Sequence, residues 1–247
     1  GKTTTLYAFL HHVYNEEVKV ITIEDPIEYH LEGLMQTQVE EEKGYTFVAG
    51  LRAALRQDPD VIMVGEIRDT DTAKVAINAA LTGHLVFSTL HTNNAAGTFT
   101  RLIDLGADPK VLTSAIRVSI AQRLVRKLCP VCKKSTAIPT ERKAVIDEVL
   151  STIKKYAPDS KEASEFTVIP AEIYEAVGCD ACNKTGYQGR VGVYEAILSD
   201  REIERVVREN PSEREIKEAS RAQGVLDMKQ DGVLKVLRGI TTFSELE

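Results

Sequence analysis

The sequence predicts an α/β protein on a parallel sheet, continued by a cysteine-bearing segment and a helical end. Two apolar runs of strand length each finish in an acid: Val18 to Ile23 leads into Glu24, and Val61 to Val64 into Glu66. Helical patterns lie between the runs. Further on stand two C-x₂-C pairs, Cys129 with Cys132 and Cys179 with Cys182.

The first element is a helix with apolar positions Leu6, Phe9, Leu10 and Val13, opened by Gly1-Lys2-Thr3-Thr4. That tetrad is the back half of a phosphate loop, G-x-x-x-x-G-K-[ST], whose front half is absent. In such a loop the N–H groups of a helix start cradle phosphates, lysine reaches the terminal phosphates and the hydroxyl holds Mg²⁺. Lys2 and Thr3 have the residue types for these roles. Alone, a Gly-Lys-Thr triplet is equally a solvated terminus; a helix and then a strand behind it are what the loop requires.

The strand Val18 to Ile23 ends in Glu24-Asp25-Pro26-Ile27-Glu28. Proline cannot continue a central strand, so the acids gather at a turn. Asp58-Pro59-Asp60 then leads into Val61 to Val64 and on to Gly65-Glu66-Ile67-Arg68-Asp69. Four apolar residues between proline and glycine suit a strand covered on both faces. Its carboxyl end, where open α/β sheets bind ligands, delivers Glu66 beside Arg68. Position 67 is isoleucine, so a water-activating base must come from elsewhere: Glu24 is the first choice and Glu28 the alternative. Asp71 to Leu81 is an amphipathic helix, and Leu85 to Leu90 is a third apolar strand bracketed by His84 and His91. Histidines at a strand edge are usually structural, but a pair at one strand suits contact with a terminal phosphate.

These segments resemble the secretion ATPase superfamily. Ile23-Glu24-Asp25-Pro26-Ile27-Glu28 is similar to its Asp box, Val64-Gly65-Glu66-Ile67-Arg68-Asp69 to its Walker B, Thr82-Gly83-His84 through Thr89-Leu90-His91-Thr92 to its His box, and Gly1 to Thr4 to the end of its Walker A. Gln122 to Cys129 and the later cysteines resemble the branch that drives type IV pilus assembly and type II secretion. The resemblance implies a RecA-like P-loop ATPase core binding ATP and Mg²⁺, with Gly1, Lys2, Thr3 and Thr4 on the nucleotide, and Thr3 with Glu66 on Mg²⁺. It implies that Glu24 or Glu28 is the base and that His84 and His91 form the His box. Arg68, Arg101 and Arg117 are candidates to face phosphate or a neighbouring subunit and rank lower, since most arginines are solvated. It further implies a cytoplasmic homo-hexamer working through a membrane platform protein, preceded by an amino-terminal domain that completes the site. The chain is therefore expected to be cut at both ends.

Four cysteines in two close pairs, separated by 46 residues, have the ligand set of one tetrahedral zinc site. Disulfides and a redox pair are the rivals; a cytosolic setting and the absence of a leader argue against structural disulfides. Four thiolates leave no position open for substrate, so the site is expected to be structural. The resemblance adds that assembly and export members carry such a tetracysteine motif, while retraction members generally lack it.

The remaining elements read as a helix over Pro109 to Leu128, a surface helix over Glu141 to Tyr156 in a charged lobe between the cysteine pairs, and a strand over Arg190 to Leu198. Helices follow over Asp200 to Glu209, Glu213 to Gln223 and Met228 to Arg238, with Asp200, Ser212 and Asp227 as caps and one more turn from Thr242. The expected domains are an ATPase core over 1–124, a metal-binding insertion over 125–192 and a helical subdomain over 193–247. With 247 residues, 43% hydrophobic and 28% charged, the chain has material for more than one lobe. A net charge of −6 offers no basic footprint for nucleic acid. No run approaches the roughly twenty apolar residues of a bilayer span, so membrane association is expected to be peripheral. A zinc-stabilised interaction module without useful turnover is the alternative to a motor.

Overall fold

The computed structural model describes residues 1–247. The elements run α1 (Lys2–Val13), β1 (Val20–Glu24), β2 (Met35–Gln38), α2 (Phe47–Leu55), β3 (Val61–Val64), α3 (Thr70–Leu81), β4 (Leu85–Ser88), α4 (Gly97–Asp104) and α5 (Pro109–Ala115). They continue with β5 (Val118–Leu128), β6 (Lys134–Ala137), α6 (Thr140–Tyr156), α7 (Lys161–Glu165), β7 (Glu172–Glu175), β8 (Tyr187–Leu198), α8 (Arg201–Glu209), α9 (Glu213–Ser220) and α10 (Met228–Leu237). Two compact units divide the chain: Gly1–Ser119 with Ser199–Ile216, and Ile120–Leu198 with Lys217–Glu247.

The first unit holds a parallel sheet in the order β2-β1-β3-β4. Every residue of β1 and β3 is buried, which explains why both read as continuous apolar runs. Along β1 and β3 the side chains alternate between two coverings. Val20, Val61 and Met63 pack with Leu6, Tyr7 and Leu10 of α1. On the other face, Ile23 meets α2 so closely that a Cβ on Gly50 would lie 2.9 Å from its Cγ2. Asp69 caps α3 by accepting Thr72 N at 2.8 Å and Thr72 Oγ1 at 2.7 Å. β4 is the last strand of the sheet: Leu85 is 44% exposed, and Phe9 of α1 stacks on Phe87 at 5.9 Å.

The second unit has a core of its own. The helix expected over Pro109 to Leu128 stops at Ala115; Ile116 turns extended, and β5 pairs with β8. β-branched Val118, Ile120 and Val125 suit the strand. The expected surface helix has a solvent face and also a packed one: α6 buries Ile146, Val149, Leu150 and Ile153 against Val233, Leu234, Val236 and Leu237 of α10, with Phe166, Ile173 and Phe243. The intervening segment is thus richer in packed apolar residues than its charge suggests. A two-stranded antiparallel sheet of β6 and β7 completes this part. Asp227 caps α10 with a capping box to Gln230, and Asp200 caps α8 by accepting Ile203 N at 2.9 Å. The final element is one 3₁₀ turn, Phe243–Glu245.

Candidate functional site

The carboxyl ends of β1, β3 and β4 lie side by side because the strands are parallel and in register, with Ile23 opposite Val64 and Val64 opposite Ser88. Gly65 crosses so near β1 that a Cβ there would stand 3.3 Å from Ile23 O and 3.4 Å from Glu24 Cα. A side chain would push the two acid-bearing ends apart. Gly65 N donates to Ile23 O at 2.8 Å, and Thr89 Oγ1 donates to Gly65 O at 2.7 Å. The second bond fixes the segment after β4. The start of α1 is tied to the same segment: Lys2 Nζ donates to Leu90 O at 3.3 Å.

Glu66 is 9% exposed. One carboxylate oxygen pairs with Arg68 and the other with His91 Nε2 at 3.0 Å. Burial works against its charge, but the Arg68 guanidinium and the His91 ring outweigh it and hold Glu66 below the ordinary carboxylate value. His91 itself is exposed. The structure does not bring His84 to this cluster. His84 precedes β4 at the opposite end of the strand, its Nδ1 2.9 Å from Ala79 O and 3.2 Å from Thr82 Oγ1 at the end of α3. Six residues, four of them in β4, separate the two histidines, which are grouped in the sequence because they flank the same apolar run.

The two candidate bases have different surroundings. Glu24 is 1% exposed and its carboxylate is fully engaged: Tyr7 donates its O–H to Oε2, while Thr22 Oγ1 at 2.6 Å and Gln36 Nε2 at 3.0 Å donate to Oε1. Glu28 stands exposed on the loop after β1. Sequence reasoning passed over Tyr7 and Gln36. Tyr7 reads as one more apolar residue of α1, and Gln36 sits in a short strand without alternation. Lys2 and Thr4 are exposed and Thr3 half-buried at the first turn of α1, where Gly1 provides no side-chain cap for the helix N–H groups. Arg101 and Arg117 are exposed and neither pairs with Glu66.

The four cysteines of the second unit converge, with all four Sγ atoms within 4.8 Å of one another. Cys132 to Cys182 and Cys179 to Cys182 are each 3.8 Å. A regular tetrahedron with Zn–S bonds of about 2.3 Å has edges of about 3.8 Å, so the donor set fits zinc. Backbone N–H groups point at the sulfurs: Gly178 N to Cys132 at 3.3 Å, and Cys179 N and Gly186 N to Cys182 at 3.2 Å each. The Cys179 N–H bond holds the Cys182 thiol down to about 6, while burial pushes Cys132 up to about 11. Such a cluster ionises further only beside a cation. Gly178, at φ +109°, and Gly186, at φ +78°, make the turns.

A family profile described as type II/IV secretion system protein matches residues 1–247. The chain is 45% identical over 249 aligned positions to the type II secretion system protein E of Pseudomonas aeruginosa, covering 100% of this chain and 45% of that protein. It is 43% identical to the type IV pilus assembly ATPase PilB of the same organism, over 100% of this chain and 41% of that protein. Among solved structures, the pilus retraction motor PilT with bound ADP superposes with a TM-score of 0.66 at 28% identity, over 99% of this chain and 56% of that one. The Legionella pneumophila ATPase DotB gives 0.63 at 25%, over 99% and 55%. This chain thus spans about half the length of the relatives it matches, and its parallel-sheet unit has the RecA-like fold of secretion ATPases. It belongs to the type II/IV secretion system protein family.

Proposed function

We propose that the chain is the nucleotide-hydrolysing core of a motor that powers type II secretion or type IV pilus assembly. The observation that carries this reading is the linked cluster at the ends of three parallel strands: Lys2 on Leu90, His91 on Glu66, and Gly65, the neighbour of Glu66, set against Glu24 at the end of β1. In this reading, Lys2 and the free N–H groups at the start of α1, with Gly1 and Thr4, bind the phosphates of ATP, while Thr3 and Glu66 hold Mg²⁺. Bound Mg²⁺ and ATP supply the transferable phosphoryl group and the cation that withdraws charge from it. Glu28 Oε takes a proton from the attacking water; its exposure leaves it able to turn to that task, and the engaged carboxylate of Glu24 makes it the poorer base. His91 bridges Glu66 to the segment after β4 and reports whether the site is filled, and Arg68 releases Glu66 to meet phosphate. His84 anchors the end of α3.

The motor works as a homo-hexamer at the cytoplasmic face of the inner membrane, peripherally bound through a membrane platform protein, with zinc on the four cysteines as a structural ion. No helix is long and apolar enough to cross a membrane. Steady-state ATP hydrolysis by the full-length protein tests the core of this reading. Lys2→Ala is expected to lose nucleotide binding and turnover. Glu28→Gln is expected to keep binding and lose about a hundredfold or more in kcat, the scale of a missing general base. Nucleotide binding by the parent hexamer with no turnover at all would overturn the motor and leave the zinc-stabilised interaction module.

A further inference from the structure

Glu24 and its three donors form a buried junction that the proposed chemistry leaves unused. Tyr7 is 1% and Thr22 0% exposed. The donors come from three elements: Tyr7 from α1, whose first turn bears Lys2 and Thr3; Thr22 from β1; and Gln36 from β2. Gln36 carries the linkage onward into the loop after β1. Its Oε1 accepts Leu31 N at 2.6 Å, and its Nε2 also donates to Tyr29 O at 3.3 Å. The Tyr29 ring stands edge-on to Tyr7, with centroids 4.7 Å apart at 80°. A continuous chain of contacts therefore runs from the phosphate-facing helix to both flanks of the loop that holds Glu28. Apolar side chains would fill the same space without desolvating a carboxylate. They would not fix the register of three elements at once, as a multidentate acceptor does.

We propose that Tyr7, Glu24 and Gln36 are positioning residues for hydrolysis, setting the Glu28 loop relative to the helix that carries Lys2 and Thr3. The inference rests on the reading of Glu28 as base. Burial and then the bond to Glu24 push the Tyr7 phenol well above its ordinary value, so it stays a donor across the working range. A catalytic group displaced by about 1 Å loses on the order of a hundredfold in rate while its binding groups stay put. The signature is therefore a fall in kcat without a change in nucleotide affinity.

The experiment compares Tyr7→Phe, Gln36→Ala, Glu24→Ala, Glu24→Gln and Glu28→Gln in the full-length protein. It measures kcat and KM for ATP, ADP affinity by a fluorescent analogue, and melting temperature. Tyr7→Phe deletes one oxygen and keeps the ring, so it is the variant least exposed to misfolding. Expected are losses of about tenfold to a hundredfold in kcat for Tyr7→Phe, Gln36→Ala and Glu24→Ala, with ADP affinity near the parent. Glu24→Gln is expected to recover turnover to within about threefold of the parent, because an amide still accepts from Thr22 and Gln36 and still bonds Tyr7. Parental kcat in Tyr7→Phe and Gln36→Ala alongside a dead Glu28→Gln would overturn the positioning role and leave Glu28 as base. A dead Glu24→Gln alongside an active Glu28→Gln would overturn both, making Glu24 the base.

Discussion

Gly178 shows how far a single residue reaches in this chain. Its φ of +109° and its 2.5 Å approach of a would-be Cβ to Lys184 O admit only glycine, and its N–H is directed at Cys132 Sγ. Gly178→Ala is expected to displace that N–H and to lower metal retention after dialysis against a competing chelator, read as zinc per chain beside the parent. Glu66 offers a pH signature. Its folded value lies below the ordinary 4.5 because Arg68 and His91 favour the charged form. A depressed carboxylate contributes stability above its unfolded value and loses it as pH falls through its folded one. Urea midpoints of the parent are therefore expected to fall more steeply than those of Glu66→Gln as pH drops from roughly 5 to 3. The difference is under about 1 kcal/mol, since Arg68 is largely in solvent.

At the scale of elements, α6 has a packed face that the sequence reading left unassigned. Ile146 is 0% exposed in the packed cluster with α10. Ile146→Ala is expected to cost about 2–5 kcal/mol of unfolding free energy in the second unit, measured by denaturant titration. A change to alanine on its solvent face, such as Lys154→Ala, would lose almost nothing. β1 and β3 were legible because burial on both faces writes continuous apolar runs into the sequence, and the acids at their ends follow from the turn residues Pro26 and Gly65. β5 was not legible: its partner β8 begins some sixty residues later, and a period of two beside charged residues passes for a helical pattern when the partner is unseen. In the candidate site, Lys2, Glu66 and His91 could be read from motif and strand order. The distinction between Glu24 and Glu28 could not, because it depends on which carboxylate finds donors on α1 and β2. His84 was grouped with His91 by chain proximity, which a strand converts into separation along its length.

Across the whole molecule, each compact unit has its own source of stability. The first depends on a sheet covered on two faces, the second on the α6–α10 cluster together with the cysteines. Chelation is accordingly expected to act locally. Amide hydrogen exchange should accelerate over 129–132 and 178–190, while α6 and the parallel sheet keep their protection. Loss of protection through the whole second unit would mean that metal binding and core formation are one event. The edge position of β4 has a different consequence, one of colloid behaviour. An outermost strand with exposed Leu85 and a Phe9–Phe87 stack is a template for a passing extended chain. Nothing on β4 itself repels such a guest, for Leu-Val-Phe-Ser carries no charge. For residues 1–247 on their own, a charge placed on this edge, as in Leu85→Lys, is therefore expected to raise the concentration at which aggregation sets in, read by light scattering, without weakening the buried strands beside it.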